Sequence, residues 1–225
     1  LTHDATDGLR TLDMHILDQV LLGNAASPLR KALVDSKLGE ELTDSGYANY
    51  QRETFFTVGL KGIAAGQAEA VHDLVRATLT RLAKDGLDRG QIESAFHLLE
   101  IASREITSSF PLVLMDRVYR AWLYDADPLY YLRLNEQIAE VRRRWEADPR
   151  HFETVLRETL LANPHYTVLA FAPDPQHLAR KEEAFRVAMD QAKEGMSADR
   201  LQAIARRACE LEARQAAPNS PEALA

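Results

Sequence analysis

The stretch from residue 9 to residue 39, LRTLDMHILDQVLLGNAASPLRKALVDSKLG, predicts two helices joined by a short turn. In its first half, apolar side chains recur at the spacing of a helix face, and Asp7 precedes them as an N-cap. Gly23 then ends the helix, because glycine is the residue most typical of a helix end. Ser27 and Pro28 indicate a second helix start, since proline loses no hydrogen bond in the first turn.

Extended segments are few. Residues 41–50 are polar, and residues 53–63, ETFFTVGLKGI, are rich in β-branched and aromatic side chains. Only two residues separate them, which predicts an antiparallel hairpin. Residues 165–171, HYTVLAF, give the clearest strand of the sequence, and helical patterns occupy most of the remainder. The predicted class is therefore α+β, a helix-rich domain with a partial antiparallel sheet, and we expect further strands upstream of Leu1.

The composition changes after the last predicted strand. Alanine, glutamate, arginine and lysine then dominate, large apolar residues become sparse, and Gly195 divides the stretch into two helical patterns. We therefore predict an α/β domain over residues 1–172, a helical hairpin linker over residues 173–216, and a flexible tail over residues 217–225.

Charge and cysteine content narrow the classes of function. The formal net charge is −7, which argues against nucleic-acid binding, because that needs clustered Lys and Arg. No apolar run approaches the length of a membrane span, so we predict no membrane partner. The single cysteine, Cys209, rules out an internal disulfide and fits a reducing compartment. The chain begins at Leu1 without a signal sequence, and we expect it to be part of a longer polypeptide.

No histidine has the partner that a helical zinc site needs. Such a site takes two imidazoles four residues apart with a neighbouring carboxylate, and none of the seven histidines has a histidine four residues later. Two near matches remain. His97 keeps Glu100 but lacks the second imidazole, and His15 is followed by Asp18 and Gln19 at the motif positions. A structural histidine explains both better than a metal ligand, so we predict no catalytic residue and no metal in this chain.

One turn has the composition of a binding loop. Gly23, Asn24, Ala25, Ala26 and Ser27 lie directly before a helix, whose free N–H groups could bind an anion or a peptide carbonyl. A simple helix–helix turn explains the same residues.

The sequence resembles a known family over nearly its whole length. Residues 21–39, LLGNAASPLRKALVDSKLG, and residues 45–63, SGYANYQRETFFTVGLKGI, are similar to the second domain of the presequence-protease group of pitrilysin/insulinase zinc metallopeptidases. Pro111 departs from the group, which usually has glycine there. Further matches in the same order are Ile92, Glu93, His97, Glu100, Ile101, Ser108, Ser109, Phe110, Asp127, Pro128, Asn163, His165, Pro173 and Asp174.

The resemblance implies a parent of four homologous αβ-sandwich domains that close around a peptide-sized chamber. Its zinc and its HxxEH helix would lie in the first domain, upstream of Leu1, and this chain would be the second domain with the hairpin that links the halves. His15, Asp18 and Gln19 then look like a degenerate copy of HxxEH. The parent would be a zinc metalloendopeptidase, whereas the isolated chain is predicted to be inactive and to bind no zinc.

The resemblance also implies a substrate-anchoring surface. In related insulin-degrading enzymes the second domain pairs its backbone with the N-terminal end of the substrate, a mode that suits peptides of varied sequence. Partners would be the rest of the parent and peptide substrates, and the exposed sheet edge predicts a dimer of the isolated chain. The compartment would be the bacterial cytoplasm, or the mitochondrial matrix in a eukaryote. The candidate residues are Gly23, Asn24, Ala25, Ala26, Ser27, Phe55, Thr57 and Gly59.

Two alternatives remain open. The chain could belong to a structural homologue that kept the fold and lost the chemistry, or it could be a self-standing helical interaction module. An intact HxxEH in the parent gene favours the peptidase over the structural homologue.

Overall fold

The computed structural model describes residues 2–218 and separates into two compact units that meet in sequence between Ala170 and Phe171. No helix within residues 2–218 combines the length and the apolarity needed to cross a membrane. The helices of the first unit are α1 (Gly8–Leu22), α2 (Pro28–Ser36), α3 (Ala68–Asp85), α4 (Arg89–Arg104), α5 (Phe110–Trp122), α6 (Leu134–Ala147) and α7 (His151–Leu156). A 3-10 turn (Tyr130–Arg133) precedes α6, and a π-helical turn (Arg157–Leu161) continues α7.

The strands form two short antiparallel ladders. The outer ladder pairs β1 (Glu41–Leu42) with β4 (Leu60–Lys61), and the inner ladder pairs β2 (Gly46–Ala48) with β3 (Phe55–Thr57), in the register Tyr47 opposite Phe56. The chain thus makes one interrupted hairpin between α2 and α3, as the sequence predicts. The α+β prediction, a helix-rich domain with a partial antiparallel sheet, is confirmed.

The strand predicted at residues 165–171 is wrong. The structure has no regular secondary structure between Pro164 and Pro173, and the segment is exposed. β-branched and aromatic side chains favour extended backbone, but a strand also needs a neighbour to satisfy its N–H and C=O groups. Among the described residues, no strand lies beside this segment.

Helix α1 is the centre of the first unit. One side of it, with Met14 and Leu17, packs in a core shared with α2, α3 and α7. The opposite side, with Ile16, packs in a second core shared with α4, α6 and α7. A helix that is apolar on nearly every side is expected to be buried, and α1 shows this arrangement. The motif positions therefore lie on the helix of the first unit that has the most buried residues.

The second unit contains α8 (His177–Glu194) and α9 (Ala198–Ala216), separated at Gly195. Ser197 caps α9 by accepting a hydrogen bond from the Arg200 N–H. Neither helix has a buried residue. Most of the predicted tail over residues 217–225 lies outside the described residues.

Candidate functional site

His15, the first position of the degenerate zinc motif, is partly buried against β2. The side-chain amide of Asn49 donates to His15 Nε2 across 3.3 Å, and Tyr47 meets the ring edge-on with 4.9 Å between centroids. Burial, together with the nearby Arg120 guanidinium, lowers the pKa of His15 to about 4. The Arg120 guanidinium donates to Asn49 Oδ1 at 2.6 Å, which fixes the amide that holds His15. The imidazole is therefore neutral near pH 7, and its Nε2 lone pair is engaged.

Asp18, the second motif position, packs on the backbone of β2. Burial raises the pKa of the Asp18 carboxyl from its ordinary 3.8 to about 6, although a hydrogen bond from the Tyr47 N–H opposes this shift. Asp18 Oδ1 is buried and has no hydrogen-bond partner among residues 2–218. A Cβ atom at Gly46 would come within 3.0 Å of this oxygen, and Gly46 has a φ of +131°. Glycine is therefore required where β2 crosses α1.

Gln19, the third position, points to the other end of α1. A Cβ atom at Gly23 would lie 2.2 Å from Gln19 Nε2, and the Gln19 carbonyl accepts from the Ser27 hydroxyl at 3.4 Å. No hydrogen bond or ion pair joins His15, Asp18 and Gln19 to one another. In the part of the chain that the structure describes, no three His, Cys, Asp or Glu side chains converge on a point where a metal ion could bind.

A polar cluster beside His15 was not foreseen from the sequence. Residues 2–5 run antiparallel to residues 52–54, and this pairing brings His3 close to Tyr47. The Tyr47 hydroxyl lies 3.1 Å from His3 Nε2, and the two rings stack. His3 Nδ1 lies 3.2 Å from the Thr54 hydroxyl, and burial lowers the pKa of His3. No local motif marks His3, because only the long-range backbone pairing places it there.

The turn between α1 and α2 borders an open groove. Within the turn, Asn24 Oδ1 accepts from the Ala26 N–H at 2.8 Å, and the Ser27 hydroxyl accepts from the Asn24 N–H at 3.1 Å. The Ser27 side chain is thereby turned away from α2 and does not cap it. The groove has a volume of about 390 Å³. Its lining residues are Gln19, Asn24, Ala26, Ser27, Asp88, Gly90, Gln91, Ser94, Ala95 and Leu98.

Strand β3 carries the second group of candidate binding residues. Its one strand neighbour among the described residues is β2. Phe55 packs edge-on against Tyr50, and the Thr57 hydroxyl donates to the Asp44 carbonyl at 3.1 Å. Gly59 lies so close to Thr43 that a Cβ atom there would be 3.1 Å from the threonine hydroxyl. Within residues 2–218, no hydrogen bond, ion pair or ring contact connects these residues with the turn that ends at Ser27.

Comparison with known proteins agrees with the resemblance found in the sequence. The family described as the Peptidase M16 inactive domain matches residues 1–99. Presequence protease 1, chloroplastic/mitochondrial, of Arabidopsis thaliana is 34% identical over 95% of this chain, which covers 20% of that protein. The mitochondrial presequence protease of Xenopus laevis is 27% identical over 97% of this chain and 21% of its own length. The chain thus spans about a fifth of the length of these relatives.

Two bacterial proteins extend the comparison. Protein HypA of Clostridium perfringens is 26% identical over 98% of this chain and 23% of its own length. A solved structure described as a zinc protease from Bordetella pertussis Tohama I superposes with a TM-score of 0.55 at 17% identity, covering 71% of this chain and 84% of that chain. The similarity to the Bordetella pertussis structure shows a shared fold only. Residues 1–99 thus match the inactive domain of the M16 peptidase family, and nearly the whole chain resembles a region of the presequence proteases.

Proposed function

We propose that this chain is a non-catalytic domain in the wall of a zinc-dependent metalloendopeptidase that degrades peptides in an enclosed chamber. The observation that carries the proposal is the similarity to presequence proteases over 95% of the chain but only 20% of their length. The zinc ion and the catalytic residues would then belong to the polypeptide outside this sequence, which would be the principal partner. For the compartment we propose the bacterial cytoplasm, or the mitochondrial matrix in a eukaryote.

The chemistry of α1 supports a non-catalytic role. A zinc-binding helix needs two free imidazole lone pairs on one face and a carboxylate beside them. Here the His15 lone pair accepts from Asn49, and Gln19 supplies a neutral amide that is directed to the turn. Asp18 is a shorter carboxyl that packs against Gly46. His15 and Asp18 thus pack where α1 meets β2, and Gln19 packs at the turn, instead of the three converging on an ion.

The turn and β3 are proposed to anchor peptide substrates. Pro28 has no N–H and the Ser27 side chain does not cap α2, so the N–H groups of Leu29 and Arg30 are the ones proposed to donate to a substrate carbonyl or carboxylate at the turn. The free edge of β3 around Phe55, Thr57 and Gly59 can add a peptide strand through backbone hydrogen bonds. Both modes depend on backbone groups and tolerate varied peptide sequences.

Kinetics of the full-length protein test the anchoring role. In an Ala26→Glu variant, a new carboxylate would stand at the groove and repel substrate carbonyl groups. We expect KM for a quenched fluorescent peptide to rise about tenfold while kcat stays within about twofold, as for lost binding that is equal in ground and transition states. Ala192→Glu, on the exposed face of α8, is the matched control and should change neither constant. An unchanged KM in Ala26→Glu would remove the turn from the proposed substrate surface.

The sequence and the activity of the parent protein distinguish a peptidase from a structural homologue. An intact HxxEH upstream of Leu1, with zinc-dependent cleavage by the full-length protein, supports the proposal, whereas its absence favours the structural homologue. For the isolated chain we expect no turnover and less than one zinc ion per chain after dialysis. One tightly held zinc ion per chain together with turnover would contradict the non-catalytic assignment.

A further inference from the structure

Helix α5 exposes large apolar side chains along one side. At helical spacing, Leu112, Met115, Tyr119, Trp122 and Leu123 fall on the same side of the helix, here called the α5 face, and all five are exposed. Leu112 is 66% exposed and Trp122 is 60% exposed, and the rings of Tyr119 and Trp122 stack with 6.1 Å between centroids. Single exposed apolar residues are common on protein surfaces, whereas a contiguous set of this kind is typical of a binding surface.

The other sides of α5 are attached to the first unit. Ala121, opposite the α5 face, is fully buried, and the Arg120 guanidinium donates to Asn49 Oδ1 at 2.6 Å. Asn49 directly follows β2, so the helix is bound to the hairpin whose β3 edge is proposed to add a peptide strand. The α5 face is therefore held on a helix that is positioned from behind, next to the hairpin that carries the proposed anchoring edge.

Charges around the α5 face favour a basic partner. Residues 105–127 contain four acidic side chains and two basic ones. One of the two basic residues, Arg120, is engaged with Asp116 at 2.7 Å as well as with Asn49. Glu105, Asp125 and Asp127 are exposed. Two copies of the chain would bring these like charges together, which disfavours self-association through this face, whereas a basic peptide would meet opposite charge.

The composition of the α5 face suits peptides of varied sequence. Methionine adapts its shape to different partners, and tryptophan and tyrosine offer large contact areas. A helical peptide with apolar residues at every third or fourth position can lay its apolar side on such a surface. Helix α5 has 13 residues and is therefore about 20 Å long, which matches three to four turns of a bound helix.

We propose that the α5 face binds the apolar side of amphipathic, basic peptides. The proposal rests on the proposed function, in which the chain lines a chamber that degrades peptides, and it adds a binding surface and the class of peptide that this surface selects. Apolar side chains of the peptide would cover Leu112, Met115 and Trp122. Its Lys and Arg side chains would lie near Asp125 and Asp127, which follow the C-terminal end of α5.

Equilibrium binding tests this surface separately from cleavage. The probe is a fluorescein-labelled helical peptide of about 18 residues, or five turns, built from leucine, arginine and α-aminoisobutyrate so that it resists cleavage. With the full-length protein, Leu112→Gln combined with Trp122→Gln should raise the Kd from fluorescence anisotropy at least about tenfold, because apolar contact is lost. Val34→Gln, at a 57% exposed residue of α2, is the matched control and should leave the Kd within about twofold.

Three results would overturn the proposal. The first is an equal Kd for the double variant and the unaltered protein. The second is equally tight binding of a peptide with the same composition in shuffled order, which has no apolar side. The third is self-association of the unaltered protein that the double variant abolishes, because a second copy would then cover the α5 face. A lower Tm of the double variant with an unchanged Kd would give the surface to another part of the polypeptide and belongs to the first result.

A second variant tests the preference for basic peptides. Asp125→Asn combined with Asp127→Asn removes two charges and keeps the side-chain oxygen that accepts from the Leu129 N–H. It should raise the Kd about threefold at low ionic strength and have no effect in about 1 M salt, where the charges are screened. The effect of the apolar double variant should persist in that salt. An unchanged Kd at low ionic strength would refute the basic preference.

Peptidase activity distinguishes the two proposals. A full-length protein that cleaves peptides but binds the probe equally well with and without Leu112 and Trp122 would retain the proposed function and refute the α5 face. A protein without peptidase activity that shows the expected change in Kd would refute the proposed function and support the α5 face as a peptide-binding surface.

Discussion

Helices α1 and α9 have similar lengths but opposite environments. Ten residues of α1 are buried, on both sides of the helix, whereas no residue of α9 is buried. The apolar side chains of α9, which include Leu211, recur on one face and remain exposed. Stability should therefore depend strongly on single side chains of α1 and hardly at all on those of α9. Helix α1 also contains polar groups in the interior, where protonation and hydrogen bonding have larger consequences than in water.

The largest expected effect is in the core. Leu17 on α1 is fully buried, so Leu17→Ala should lower the free energy of unfolding by about 2–5 kcal/mol through lost contacts and a cavity. Leu211→Ala on α9, where the side chain is 55% exposed, should change it by less than about 0.5 kcal/mol. Urea denaturation of the chain followed by circular dichroism measures both. Similar losses in the two variants would show that α9 is packed in solution, contrary to the structure.

A second pair of variants compares a buried side-chain hydrogen bond with an exposed ion pair. On α1, the buried carboxylate of Asp13 lies 2.7 Å from Nε2 of His151, whereas on α9 Arg206 and Glu210 lie 3.6 Å apart in water. Asp13→Ala should cost about 1–3 kcal/mol, because His151 loses its partner in a mostly buried place. Glu210→Ala should cost less than about 0.5 kcal/mol. The same denaturation experiment measures both changes, and a cost below 0.5 kcal/mol for Asp13→Ala would show that the buried pair contributes little.

Local patterns were sufficient to predict the helices and the hairpin. The apolar spacing before Gly23 and the serine and proline after it fixed the two opening helices, because these signals act within a few residues. The prediction for residues 165–171 was wrong, since a strand depends on a neighbour that local sequence does not reveal. The family resemblance is confirmed, and it rests on motifs in order along the whole chain.

The interior around His15 was beyond prediction from sequence. His3 is distant in the chain from Tyr47, and the two meet because residues 2–5 pair with residues 52–54. The missing imidazole partner of His15 could be read directly from residue spacing. Its hydrogen bond to Asn49 could not, because it depends on the path of β2 over α1.

Burial gives the stability contributions of Asp18 and His15, both on α1, opposite dependences on pH. Asp18 has a folded-state pKa of about 6 against an ordinary 3.8, so the folded state binds more protons between these values. Its contribution to stability is greatest below about pH 4 and is lost as the pH rises to about 6. His15 has a folded-state pKa of about 4 against an ordinary 6.5, so its contribution rises with pH over nearly the same window. The two contributions should largely offset each other in the unaltered protein.

Single variants should separate these opposed effects. Asp18→Asn stays neutral at every pH, so it should be more stable than the unaltered chain above pH 6 by about 1 kcal/mol, a value reduced for the partial exposure of Asp18. The difference should vanish below about pH 4. His15→Gln should remove the opposite slope, so that its free energy of unfolding falls from pH 4 to pH 6.5 relative to the unaltered chain. Unfolding free energies measured at pH 4, 5, 6 and 7.5 test both slopes. Parallel pH profiles for all three proteins would mean that Asp18 and His15 are as accessible to water as the carboxylates of α9, and the contrast between the two helices would then be limited to their apolar residues.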